Sequence, residues 1–176
     1  MPTTNLQVQD RRQFLRIVTV GAGAIGATLL IPNTGLRAAD ETEALLLSCM
    51  DYRLTDQTTR YMDKHGLKNK YDHIILAGAA LGAITEKFPA WNTTFWDHVA
   101  VASDLHKIRK VIVLDHRDCG AYKVVLGEDF AKDPAKETAI HATQLRRLRT
   151  MIKEKYPALG VELLLMALDG RAETIS

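Results

Sequence analysis

The chain's two cysteines lie in two short stretches, Cys49-Met50-Asp51-Tyr52-Arg53 and His116-Arg117-Asp118-Cys119-Gly120. Two sulfurs, an imidazole and a carboxylate form a donor set suited to tetrahedral zinc. Cys49, His116 and Cys119 supply three protein ligands and leave a fourth position. A catalytic zinc keeps that position for water, whose pKa it lowers to about 7. Asp51 either takes the position and closes the site, or accepts a hydrogen bond from the water there. Arg53 stands two residues further on, where a two-pronged pair with Asp51 holds the carboxylate off the metal. The competing use of two cysteines is a single disulfide in an oxidising compartment. That use gives no reason for Asp51, Arg53 and His116 to stand where they do.

Each stretch follows a short apolar run that reads as a buried strand, Ala44 to Ser48 and Val111 to Leu114. Between and after them the periodicity alternates. Thr55 to His65 reads as a helix capped by Gly66. His73 to Ala77 reads as a strand ending at Gly78. Trp91 to His106 reads as a helix with Phe95, Val99, Ala102 and Leu105 on one face. Lys136 to Tyr156 is the clearest amphipathic helix, with His141, Leu145, Leu148 and Ile152 on one face and Pro157 and Gly160 ending it. Val161 to Leu168 is a fourth strand, and Asp169-Gly170-Arg171 is a turn. The expected class is α/β, with a central, mainly parallel β-sheet flanked by helices. Sites in such sheets collect at the carboxyl ends of the strands. Both stretches lie there, and they meet if the first and third strands are neighbours. His65, His73, His98, His106 and His141 lack ligand-like spacing and read as structural or exposed. Trp91 and Trp96 read as core or interface.

C-x-D-x-R followed by H-x-x-C-G, each after a strand, resembles the β-class carbonic anhydrases, in particular small, divergent bacterial members. The resemblance covers roughly Leu45 to the C-terminus. It implies that Cys49, His116 and Cys119 are zinc ligands and that Asp51 and Arg53 are an Asp–Arg dyad. It further implies reversible hydration of carbon dioxide to bicarbonate, and a homodimer or higher homo-oligomer. The chain departs from the family pattern at three places. Asp115 stands where many members have Gly. Leu76-Ala77-Gly78-Ala79-Ala80 replaces an Asn-containing loop. Asp40-Glu41-Thr42-Glu43 offers no substrate-contacting Gln. Two alternatives stay open: hydrolysis of carbonyl sulfide or carbon disulfide on the same zinc site, and a non-catalytic zinc-binding protein with Asp51 closing the site.

Residues 1–39 read as a targeting segment. Asp10-Arg11-Arg12-Gln13-Phe14-Leu15-Arg16 resembles a twin-arginine export signal, with Asp10 where Ser or Thr is expected. An uncharged, weakly apolar stretch, Ile17 to Ile31, follows it. This stretch is short for a membrane span, which takes roughly 17–25 residues. Cleavage near Ala39 gives a periplasmic or otherwise exported protein, and an uncleaved anchor is the alternative. Residues 40–176 then form the zinc domain, about 137 residues and enough for one core. The whole chain carries a net charge of +2 from 23 basic and 21 acidic side chains. Four arginines and one aspartate fall in residues 1–39, leaving 19 basic and 20 acidic side chains. The remaining charge is about −1, which does not suggest a nucleic-acid surface.

Overall fold

A computed structural model of the chain describes residues 42–176. The expected export signal and the boundary at residue 39 lie outside them. The central strands are apolar on successive residues because both faces of the sheet are covered. Strand β1 (Ala44–Ser48) is buried along its whole length, and β3 (Lys110–His116) is buried from Val111 onward. The sheet order is β2-β1-β3-β4-β5, with β2 at Tyr71–Ile75, β4 at Gly160–Met166 and β5 at Ala172–Thr174. The first four strands pair in parallel and β5 is antiparallel. The mainly parallel α/β class holds, and β1 and β3 are neighbours as the site requires.

Alternate side chains along each strand point to opposite faces. Leu45, Leu47, Val111, Val113, Leu163 and Leu165 pack under helices α3 (Pro89–Leu105) and α5 (Pro134–Lys155). Leu46, Ile112, Leu114, Leu164 and Met166 pack on the other face with Met62 of helix α1 (Thr55–Lys64). On α5, His141, Leu145, Leu148 and Ile152 are buried as the periodicity predicts. Leu105 is not on the core face of α3; it is 64% exposed at the helix end. Both long helices begin earlier than their apolar pattern. Pro89 and Pro134 occupy first-turn positions, and Asp133 accepts from the Ala135 and Lys136 amides. Proline is favoured there because its missing N–H is not needed.

Five elements are additional to the sequence reading: helix α2 (Ala80–Ile84), helix α4 (Gly120–Leu126), strand β5, and single 3-10 turns at Tyr52–Leu54 and Phe130–Lys132. Strand β2 also ends two residues early. The Leu76 amide still bonds to Ser48 O at 3.0 Å, and the chain then turns at Gly78 with φ +77°. Helix α2 sits so close to this turn that a Cβ on Gly82 would lie 2.4 Å from Ala77 O. The Asp169–Gly170–Arg171 turn is present and leads into β5, with the Ala167 amide bonded to Arg171 O at 2.7 Å. Among the described residues no helix is long and apolar enough to cross a membrane.

Candidate metal centre

The register pairs Ser48 with Leu114, so the carboxyl ends of β1 and β3 lie side by side. Cys49 leaves β1 at that edge, and His116 is the last residue of β3. Asp118 adopts φ +56°, which turns the chain sharply and returns Cys119 toward the same point at the start of α4. Ligand atoms of Cys49, His116 and Cys119 all lie within 4.8 Å of one another, a grouping that can hold a metal ion. Both thiols are free, and their sulfurs are 3.9 Å apart. Two sulfurs on a tetrahedral zinc, each at about 2.3 Å, stand roughly 3.8 Å apart.

The imidazole is prepared in the same way. His116 Nδ1 lies 2.8 Å from Arg117 O, an acceptor, so Nδ1 carries the proton and donates. This leaves the Nε2 lone pair free, as in metal-bound histidines whose other nitrogen is held by a carbonyl. Nε2 is buried and has no hydrogen-bond partner among the described residues. An orphaned buried nitrogen facing two sulfurs fits a metal ligand. The remaining histidines, His65, His73, His98, His106 and His141, are bonded elsewhere: to Tyr61 O, Ser48, Thr94 O, Asp72 and Asp115.

Charge is arranged around Cys49. The hydrogen bond shared with Cys119 and the neighbouring His116 hold the Cys49 thiol well below its ordinary pKa, against the effect of burial. The Gly78 amide adds a donor at 3.3 Å. Cys119 is driven the other way, by its bond to Cys49 and by burial. Cys49 is therefore the more acidic thiol of the pair, and the thiolate is the form that ligates.

Asp51 and Arg53 meet as a fork. Asp51 Oδ1 accepts from the Arg53 backbone amide and from Nε, each at 3.0 Å, and Oδ2 accepts from Nη2 at 2.7 Å. The guanidinium holds the Asp51 carboxyl down to about 2, and Oδ2 lies 3.8 Å from His116 Nε2. Arg53 also reaches the second stretch. Its Nη1 donates to Asp118 Oδ2 at 2.7 Å and its Nη2 to Asp118 O at 2.9 Å. Sequence reasoning missed Asp118. The only available signal was a carboxylate inside the second motif. Glu137 of α5 then holds that loop, accepting from the Asp118 amide at 2.6 Å and from Arg117 at 3.1 Å.

A pocket of about 270 Å³ opens at Cys49, Asp51 and Cys119. Its walls are nearly all apolar and include Met50, Phe88, Trp91, Ala121, Val124 and Val125. Phe88 and Trp91 stack with ring centroids 4.2 Å apart. Trp91, read from sequence as core or interface, is thus a wall of the pocket beside the cysteines.

A family model described as "Putative carbonic anhydrase" matches residues 39–176. An uncharacterized protein of Rickettsia conorii is 41% identical over 145 residues, covering 82% of this chain and 78% of that one. An uncharacterized protein of Rickettsia bellii is 42% identical over 140 residues, covering 80% of this chain and 85% of that one. Among solved structures, a carbonic anhydrase from Glaciozyma antarctica superposes with a TM-score of 0.52 at 15% identity, covering 97% of this chain and 98% of that chain. The wild-type β-carbonic anhydrase CafD of Aspergillus fumigatus gives 0.50 at 14% identity, covering 80% and 92%. At these identities the two structures establish a shared fold.

Proposed function

Because the chain belongs to the carbonic anhydrase family whose model spans residues 39–176, we propose that it is an exported zinc lyase hydrating carbon dioxide reversibly to bicarbonate and a proton. The observation that carries this reading is the Cys49–His116–Cys119 group with Asp51 gripped beside it by Arg53. Cys49, His116 and Cys119 hold the ion. Zinc bound there supplies a Lewis acid that makes water nucleophilic near neutral pH. The oxygen of water joins the carbon of carbon dioxide, a proton departs, and bicarbonate leaves. Asp51 accepts a hydrogen bond from the attacking water and aims its lone pair. Arg53 occupies the Asp51 oxygens and keeps that carboxylate from becoming a fourth ligand. The apolar pocket receives the neutral substrate and excludes bulk water.

The same pocket supports a second reading. Its lining offers almost nothing to hydrogen-bond a bicarbonate, so carbonyl sulfide or carbon disulfide is the alternative substrate. A non-catalytic zinc protein is the third reading. One experiment separates the three: zinc content and stopped-flow carbon dioxide hydration on protein purified without chelator or reductant. The expected result is about one zinc per chain and hydration within the ordinary enzyme range, a kcat/KM of roughly 10⁴–10⁸ M⁻¹s⁻¹. Zinc with no hydration at any pH transfers the assignment to the sulfur substrates, and inactivity on those as well leaves a binding protein.

We also propose that residues 1–39 direct export and that residues 40–176 work as a homodimer or higher homo-oligomer. Exposed apolar side chains beside the pocket support a covered face, with Met50 66%, Tyr52 86% and Val124 62% exposed. Replacing Arg11 and Arg12 together with Lys is expected to retain the folded protein in the cytoplasm, because a twin-arginine route reads the guanidinium pair and not charge alone. Cell fractionation measures this, and unchanged export removes the twin-arginine assignment.

A further inference from the structure

Asp115 precedes the ligand His116, and its carboxylate is fully buried. Among the described residues it has no lysine or arginine partner. Its Oδ1 accepts from the Ala80 amide at 2.9 Å, and its Oδ2 accepts from the Tyr122 hydroxyl and from His141 Nδ1, the latter at 2.8 Å. Tyr122 and His141 lie ring against ring, with centroids 3.8 Å apart. A carboxylate is costly to bury unless donors replace its water, so three donors converging on one group mark a fixed arrangement and not a tolerated accident.

The Ala80 amide begins helix α2, and the turn before it is unusual. Gly78 has φ +77°, and Ala79, which carries a Cβ, is held at φ +37° and ψ −101°. Such values are strained for an L-residue and persist only where the surroundings over-determine them. A Cβ on Gly78 would lie 3.1 Å from the Ala121 Cβ, so the turn is pressed onto α4 as well. What the turn delivers is the Gly78 amide, aimed at Cys49 Sγ at 3.3 Å.

We propose that Asp115 is a positioning residue of the metal centre. By gripping the Ala80 amide it holds the strained 78–80 turn so that Gly78 N–H donates to the Cys49 sulfur. Tyr122 and His141 lock the carboxylate in the orientation that does so. An N–H directed at a ligating thiolate withdraws charge from the sulfur and fixes its direction, the role of the outer partners of metal ligands. This chain thus uses an aspartate on β3, with a tyrosine and a histidine behind it, to hold a loop that has no polar side chain of its own between Leu76 and Ala80.

The inference rests on the metal reading of Cys49, His116 and Cys119, and its test separates the two. The full chain and the variants Asp115→Asn and Tyr122→Phe are loaded with zinc, or with an NMR-active cadmium isotope. Asp115→Asn is expected to weaken zinc by roughly 10–100-fold in chelator competition, and to shift the cadmium resonance. Amide exchange at Gly78 is expected to rise by about tenfold as the turn loosens. Tyr122→Phe removes one O–H and keeps the ring, so it moves all three readouts the same way by less. It decides the matter if Asp115→Asn does not fold. Lowered melting temperatures with wild-type zinc affinity, cadmium resonance and Gly78 exchange reduce Asp115 to a core residue and overturn the proposal alone. A wild-type chain that takes up neither metal overturns the metal reading and this inference together.

Discussion

Alanine in place of Cys49, His116 or Cys119 is expected to strip the chain of zinc, from about one ion per chain to a trace after gel filtration. The geometry leaves little in reserve. The three ligand atoms lie within 4.8 Å of one another, and Asp51, the nearest further donor, has both oxygens occupied by Arg53. Structural zinc sites bind with about 10–16 kcal/mol from four ligands, so one ligand is worth roughly 2.5–4 kcal/mol. At about 1.4 kcal/mol per tenfold, that is a loss of roughly 10²–10³ in affinity. His116→Ala should lose zinc while keeping both thiols titratable, which distinguishes a missing ligand from an oxidised pair. The check is metal analysis beside thiol titration. Wild-type protein with no metal and a Cys49–Cys119 bond would falsify the zinc reading.

The second large effect is at Arg53. Arg53→Ala is expected to keep zinc and lose hydration, by about a hundredfold, the upper end for outer partners of a metal site. Its ion pair contributes little to stability, because Arg53 is 33% exposed and exposed pairs are screened. Melting temperature should therefore hardly move. The loss comes from position. Without the fork, the Asp51 oxygens are free to turn toward the metal and close the place where water must act. Asp118 loses its partner at the same time, loosening the tie between the two motifs. Lysine keeps the charge but not the two-pronged grip, so Arg53→Lys should fall between. Acid behaviour gives an independent reading. Arg53 holds Asp51 at about 2, below the ordinary carboxylate value near 3.9. The Asp51 contribution to stability is thus present above about pH 4 and lost as pH falls toward 2. In Arg53→Ala that depression shrinks, because only the backbone amide of residue 53 and His116 still favour the carboxylate. Wild-type hydration should rise with pH, because the nucleophile is deprotonated water and Asp51 is already ionised. Full turnover in Arg53→Ala would leave Arg53 as a surface charge.

Much of this was local and therefore legible. The runs Ala44–Leu47 and Val111–Leu114 are apolar on every residue because strands covered on both faces need no alternation, and that pattern needs no knowledge of neighbours. The buried stripe of α5 was visible for the same reason, since helix periodicity repeats within a few residues. Residue types alone named the donor set of Cys49, His116 and Cys119, with Asp51 and Arg53 beside it.

Tertiary structure decided what depends on distant partners. The adjacency of β1 and β3 brings together cysteines 70 positions apart, and strand order is a competition among chain closures that no single segment records. Short elements such as α2, α4 and β5 hold too few residues to show a period. Leu105 has helical spacing but is the last residue of α3, and it is exposed. Asp118, Trp91 and the Asp115–Tyr122–His141 group acquire their roles only from side chains that other elements place beside them. The sequence by itself determined the chemistry on offer and the elements that carry it, because both are written in near neighbours. Only the folded chain determined which groups face one another, because that follows from packing among segments far apart in sequence.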